Sequence, residues 1–185
     1  MSRTSRWIVS LAAASCVAWH LHAQTPAASE DELKAVFLFN FAKYVSWPAR
    51  TFPDGTLRVC ALAEGRFTRR LDAVITGETV DGRAVVRPAA PRLQAIADTC
   101  HILYVSAAEQ TRLDEVLAAV HAAPVLTVGE TDAFRARGGM VTFVKDGDRV
   151  RFDINQTEAQ RAGLTISSRL LRLARRVSLV EDRSR

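Results

Sequence analysis

Residues 100–139 read CHILYVSAAEQTRLDEVLAAVHAAPVLTVGETDAFRARGG, and their periodicity decides the fold class. Cys100–Val105 is a short apolar run of strand length. Glu109–His121 follows, with Leu113, Val116, Leu117 and Val120 at i, i+3, i+4 and i+7, the apolar stripe of an amphipathic helix. Pro124–Val128 (PVLTV) is a second strand, and Asp132–Arg137 a short helix stopped by Gly138-Gly139. Strands alternating with helices predict an α/β layer fold with a largely parallel sheet.

The same reading extends in both directions. Upstream, Leu57–Leu62 is a strand and Gly65–Ile75 a short helix with Phe67, Leu71 and Val74 on one side. Ala84–Val86 is a strand after an Asp81-Gly82 turn, and Leu93–Ala97 a helical turn. Downstream, Met140–Val144 and Arg149–Ile154 flank Asp146-Gly147, a hairpin signal. Thr157 with Gln160 forms a capping box that opens a final helical stretch bearing Leu164, Ile166, Leu170, Leu173, Ala174 and Val177. At the other end, Ser29 and Glu32 cap a helix with Leu33, Val36, Phe37, Asn40, Phe41 and Tyr44 on one stripe. Leu38, Phe39, Ala42 and Val45 make most of its remaining circumference apolar. Such a helix is deeply buried or has one face covered by a partner. Trp47-Pro48 ends it, because the residue before a proline avoids the helical region. The expectation is a single compact layered α/β domain, its sheet largely parallel with a C-terminal β-hairpin and its helices packed on the sheet.

The chain has 185 residues, 48% apolar and 24% charged, which is ordinary globular usage. Position matters more than totals. Arg3 and Arg6 precede the nearly uncharged run WIVSLAAASCVAW, and Leu21-His22-Ala23 supplies a cleavage end, the layout of a secretory signal peptide. The expected organisation is a signal peptide over 1–23, a small-residue linker over 24–29, the domain over 30–178 and a flexible basic tail over 179–185. Cys16 goes with the signal peptide; the alternative is an acylated lipoprotein cysteine. Cys60 and Cys100 then remain, each at a strand-like run, and an exported chain with two cysteines is most simply a chain with one disulfide. Two buried free thiols are the rival. The formal charge is +5, but residues 161–185 hold seven Arg against two acids, whereas 24–160 hold 16 basic and 18 acidic residues. The basic excess belongs to the C-terminal stretch, where Arg169, Arg172 and Arg176 fall on one helical face. With an export signal and no interleaved aromatics, this does not point to nucleic acid.

Signals for catalysis are absent. No G-x-G-x-x-G, P-loop, G-x-S-x-G or H-E-x-x-H is present. No residues show metal-ligand spacing, so neither a metal nor a cofactor is expected. His101 beside Cys100 on a strand points to the opposite face and makes a poor catalytic pair. Asp146 and Asp148 sit in the hairpin turn, where Asp serves turn geometry. Asn155-Gln156-Thr157 matches a glycosylation sequon, but its economical use is at the start of the last helix.

The run Leu33-Lys34-Ala35-Val36-Phe37-Leu38-Phe39-Asn40-Phe41-Ala42-Lys43-Tyr44-Val45-Ser46-Trp47-Pro48 resembles the opening signature of the YfiR family, a DUF4154 domain. Cys100–Val105 is similar to a second run of that family, and Leu126–Glu130 through Gly138–Val141 to a third. Val150–Asn155 continuing to Gly163–Leu171 is similar to a fourth. The resemblance covers about residues 30 to 177. It implies a periplasmic, non-catalytic α/β protein. The best-known members bind the periplasmic sensor part of an inner-membrane GGDEF-type diguanylate cyclase and hold it inactive. An outer-membrane, peptidoglycan-associated lipoprotein sequesters the repressor, and release raises cyclic di-GMP and promotes biofilm formation. Members can form homodimers. One cysteine pair stands here where members are known with two, so a redox switch needing a second pair lacks its residues.

The leading expectation is therefore an interaction protein, a periplasmic repressor. Phe39, Trp47, Pro48, Leu164, Ile166 and Leu170 are its candidate partner-binding residues, chosen as apolar residues in a chain without catalytic clusters. Packing of the core is the competing role for each. A small-ligand-binding domain is the first alternative, with Asn40, Lys43 and Arg151 as polar contributors. An envelope enzyme built on Asp153, His101 and a Ser is the second.

Overall fold

The computed structural model describes residues 29–89 and 92–179. The expected signal peptide with Cys16, and the expected tail beyond Leu179, lie outside the described residues. In chain order the elements are α1 (Glu30–Tyr44), β1 (Val45–Ser46), β2 (Thr56–Leu62), α2 (Arg66–Ile75), β3 (Thr79–Val80) and β4 (Arg83–Val86). A 3₁₀ turn (Leu93–Ala95) leads into α3 (Ile96–Thr99) and β5 (Ile102–Val105), and another (Ala107–Arg112) into α4 (Leu113–Ala119). Then come β6 (Leu126–Gly129), α5 (Asp132–Ala136), β7 (Val141–Asp146) and β8 (Arg149–Asn155). α6 (Gln156–Arg161), β9 (Thr165–Ile166), α7 (Ser168–Leu173) and β10 (Arg176–Ser178) complete the chain.

Eight strands form one mixed sheet in the order β10-β8-β7-β6-β5-β2-β4-β3. β4, β2, β5, β6 and β7 are mutually parallel along that order. β3 is antiparallel to β4, the β7–β8 hairpin is antiparallel, and β10 lies parallel to β8. The predicted α/β class with a mostly parallel sheet and a late hairpin is what the molecule has.

Period-two alternation divides the core. On β5, Ile102 and Tyr104 join the larger buried cluster while Leu103 and Val105 join the smaller. β2 repeats this with Val59 and Ala61 against Cys60. Side chains that alternate along a strand face opposite sides of the sheet, so both faces are covered. α1 and α2 cover one through Leu38, Phe41, Phe67 and Leu71, and α4 and α5 cover the other through Leu113, Val116 and Phe134.

α1 is apolar over most of its circumference because α2, α7 and the sheet pack against it, while Val36 and Lys43 stay exposed. Ser29 caps it, its hydroxyl accepting the Glu32 N–H at 3.3 Å, and Glu30, Asp31 and Glu32 suit the positive helix start. Phe41 meets Phe152 edge-on with ring centroids 5.1 Å apart, and Phe37 meets the same ring at 5.5 Å.

Three sequence expectations are corrected. The final helical stretch is broken into α6, β9, α7 and β10. Gly163 (φ +74°) ends α6, and the two residues of β9 pair antiparallel with β1 in a separate small ladder. The Thr157–Gln160 capping box is not the start of α6. Asn155 is the N-cap, its side-chain oxygen accepting the Glu158 N–H at 3.2 Å, which is a structural use for the sequon asparagine. Arg169, Arg172 and Arg176 do not share a helix face, since Arg176 opens β10.

Candidate functional site

The chain leaving α1 builds an aromatic shoulder. β1 pairs Val45 with Ile166 and Ser46 with Thr165, and the Ser167 N–H donates to the Tyr44 carbonyl at 2.9 Å. The two runs 44–48 and 163–170, far apart in sequence, thus lie side by side. At their junction the positive φ of Gly163 (+74°) selects glycine, and a Cβ there would come within a tight 3.3 Å of the Pro48 ring.

Trp47 is half-buried and Pro48 exposed. The Trp47 indole N–H donates to the His101 carbonyl at 3.3 Å, and its ring meets Phe52 edge-on at 5.7 Å. Phe52 lies against the His101 imidazole at 4.5 Å with the Arg83 guanidinium 4.5 Å from its centroid. His101 Nδ1 accepts the Arg58 N–H at 2.8 Å, which places the proton on Nε2, and Nε2 donates to the Thr51 carbonyl at 3.0 Å. Burial holds the His101 pKa below its ordinary value, and the nearby Arg58 charge adds to that effect. The imidazole is a neutral tie between the shoulder loop and the sheet.

The other expected contact residues sit deeper. Phe39, Leu164, Ile166 and Leu170 are all buried in the larger core cluster, and the Lys43 ammonium lies 4.0 Å from the centre of the Phe39 ring. Of the six, Trp47 and Pro48 are the ones with surface to offer. Cys60 and Cys100 are bonded, with Cα atoms 5.7 Å apart, beneath the opposite face of the sheet.

A second constellation, which the motif reading did not single out, gathers at the carboxyl ends of β5 and β6. Lys34 is almost fully buried, its ammonium 2.6 Å from Glu130 and 2.7 Å from Glu30. Glu130 also accepts the Tyr104 hydroxyl and the Ala107 N–H, both at 2.8 Å. Burial alone would raise the Glu130 pKa; the Lys34 ammonium and these two donors outweigh it and hold the carboxyl below its ordinary value. The balance is the same for Lys34, where burial opposes and the two glutamates prevail, so its pKa is raised. The sequence holds only weak hints of it: Lys34 opens the apolar part of α1, and Glu130 directly follows a buried strand.

Nearby, Asp153 on β8 is buried and clasped by two arginines. Arg175 donates from Nε and Nη2 at 2.9 and 2.7 Å, and Arg135 from Nη1 at 3.3 Å. The Arg175 guanidinium, chiefly, holds the Asp153 carboxyl below the usual range. This engages Asp153 fully, and His101 stands three strands away along the sheet order and near the opposite end of its strand. The two are not brought together. Asn40, Lys43 and Arg151 do not line the crevice at the carboxyl ends. Among the described residues, no three His, Cys, Asp or Glu are grouped to hold a metal ion.

A family model described as DUF4154, YfiR/HmsC-like, matches residues 31–175. Among solved structures, a conserved domain protein from Vibrio cholerae O1 biovar El Tor strain N16961 is similar, with a TM-score of 0.56 and 16% identity, covering 81% of this chain and 60% of that chain. The ABC domain in complex with L-Trp from Streptococcus pneumonia has a TM-score of 0.50 and 16% identity, covering 66% of this chain and 55% of that chain. The chain thus spans less than two thirds of either structure, and at these identities the likeness is one of fold.

Proposed function

The chain belongs to the YfiR/HmsC-like (DUF4154) family, and from that premise we propose that it is a non-catalytic periplasmic regulator. It binds the periplasmic sensor part of an inner-membrane diguanylate cyclase and represses it, lowering cyclic di-GMP and biofilm formation. An outer-membrane, peptidoglycan-associated lipoprotein relieves the repression, and the regulator acts as a monomer or homodimer. Residues 1–23 direct export and are removed, 24–29 link to the domain of 30–178, and 179–185 form a basic tail.

The observation that carries this reading is the family match across residues 31–175. The buried Cys60–Cys100 bond is in keeping with an oxidising compartment. The Trp47–Pro48 shoulder supplies the contact surface, with Phe39, Leu164, Ile166 and Leu170 packed behind it as its support. A half-buried tryptophan beside an exposed proline, held on a hydrogen-bonded loop, is a rigid anchor of the kind that dominates interface energetics.

Affinity capture of the mature protein from crosslinked envelope tests the proposal. A membrane GGDEF-type protein should be recovered, and Trp47→Ala or Pro48→Asp should reduce its recovery while leaving the circular dichroism spectrum unchanged. Deleting the gene should raise cyclic di-GMP. No cyclase in the eluate together with unaltered cyclic di-GMP would overturn the reading.

A further inference from the structure

A crevice of about 650 Å³ opens at the carboxyl ends of β5 and β6, on a part of the molecule the repressor reading does not use. It is lined by the loops that follow β5 and β6, by the β7–β8 hairpin and by the start of β10, and so lies beside the strand-order reversal at β2 rather than on it. Its volume is that of a small-molecule site.

The walls differ in chemistry. On one side, Glu30 and Glu130 are satisfied locally by Lys34 and Lys145, the latter 3.0 Å from Glu30. Opposite them stand Arg135, Arg175 and Arg176. Asp153 takes Arg175 and one nitrogen of Arg135, and Asp132 takes another at 2.7 Å. Arg176 is exposed and has no ion-pair partner among the described residues. Three guanidiniums therefore face two carboxylates. Each guanidinium carries five N–H donors, so donors as well as one positive charge remain unused. On the hairpin, Val144 lies on the sheet face that carries Asp153, while Val150 lies on the other face over the buried Phe143, so apolar groups border both sides of the crevice.

We propose that this crevice binds a small organic oxyanion. Its charged head, a carboxylate or a phosphate monoester, is held by Arg175 and Arg176 with Arg135 behind them. Its apolar body rests on Val144, which shares a sheet face with Asp153 and its arginines. The head needs planar donors in a fork, which arginine provides, and the body needs the hairpin surface. Both features must be present in one ligand for the whole site to be used.

Isothermal titration of the mature protein at constant ionic strength, with 4-nitrophenyl phosphate and 4-nitrobenzoate as probes, tests this. One of the two should bind saturably at a single site, and which one does so distinguishes the two heads. The uncharged 4-nitrobenzyl alcohol should bind at least about tenfold more weakly, the equivalent of about 1.4 kcal/mol. Arg176→Gln should weaken the binding probe about tenfold. Arg169→Gln removes an equal charge from exposed α7 outside the crevice and should leave binding within about twofold. Val144→Asp, which places a carboxylate on the apolar wall, should abolish binding even if Arg176→Gln disturbs β10. Absence of saturation with both probes overturns the proposal. So does equal weakening by the Arg176 and Arg169 changes, which marks diffuse charge attraction, or 4-nitrobenzyl alcohol binding as tightly as the anions.

Discussion

The His101 imidazole can keep its present contacts only while it is neutral. A proton on Nδ1 would face the Arg58 N–H at 2.8 Å, donor against donor. The charged groups around it are Arg58 and Arg83, which oppose protonation, and Asp54, which favours it. With the folded pKa held below its ordinary value of about 6.5, the contribution of His101 to stability is full above that pH. It is lost as pH falls from there through the lower folded value. Urea titrations at pH 7.5 and 5.5 should show this loss, and His101→Asn should remove the pH-dependent part. That variant should also cost about 1–3 kcal/mol at the higher pH, as the Arg58 N–H or the Thr51 carbonyl loses its partner. The Lys34–Glu130 pair makes a sharper case. Lys34→Met leaves the Glu130 carboxylate half-buried without its counter-charge, and about 2–4 kcal/mol of destabilisation is expected. In the double variant Lys34→Met, Glu130→Met, the loss should be well below the sum of the two single changes. Additive losses would show that the two side chains act independently.

At the level of elements, α5 shows why two glycines stand where they do. A Cβ on Gly129, at the end of β6, or on Gly139, just before β7, would overlap the Phe134 ring. Neither glycine has positive φ, so close approach alone selects them. Gly139→Ala should cost about 1–3 kcal/mol by overpacking, read from the midpoint of chemical denaturation. Phe134→Leu in that background should recover part of the loss, which a purely conformational effect of the alanine would not allow. The elements around this pinch were legible in the sequence because each strand is a buried apolar run and each connecting segment a short helix. β5, β6 and the β7–β8 hairpin fall within one or two residues of their expected spans. The segment after residue 156 was not legible, for a physical reason. β1 and β9 have two residues each, too short to display any period, and are defined by each other. Leu164 and Ile166 carried the alternation of a strand, but two positions spaced by two also fit a helix apolar on several sides.

Over the whole molecule, side chains were read most reliably where neighbours in sequence are neighbours in space. The shoulder was partly visible, since Trp47 and Pro48 stand together, though its tie to His101 was not. The crevice was invisible because Lys34, Ala107, Glu130, Phe143 and Arg175 come from five separated segments. The Cys60–Cys100 bond is the long-range link that sequence reasoning did reach, and its stabilising effect can be estimated. It joins β2 to the start of β5, which are adjacent parallel strands, so the folded state brings the two cysteines together without it. Its effect then falls on the unfolded chain, where it closes a loop between residues 40 apart. Chain entropy for such a loop corresponds to about 4 kcal/mol. Both cysteines are buried, so a reductant reaches the bond only when the strands open. Without denaturant, dithiothreitol should therefore leave the mature protein oxidised over times that reduce it fully in urea. The double variant Cys60→Ala, Cys100→Ala should fold to the same secondary structure but lose about 4 kcal/mol in urea titration, with part of the change from lost packing at Cys60. Two titratable thiols in denatured, unreduced mature protein would refute the bond itself, whereas a small loss of stability would refute only the entropic account of it.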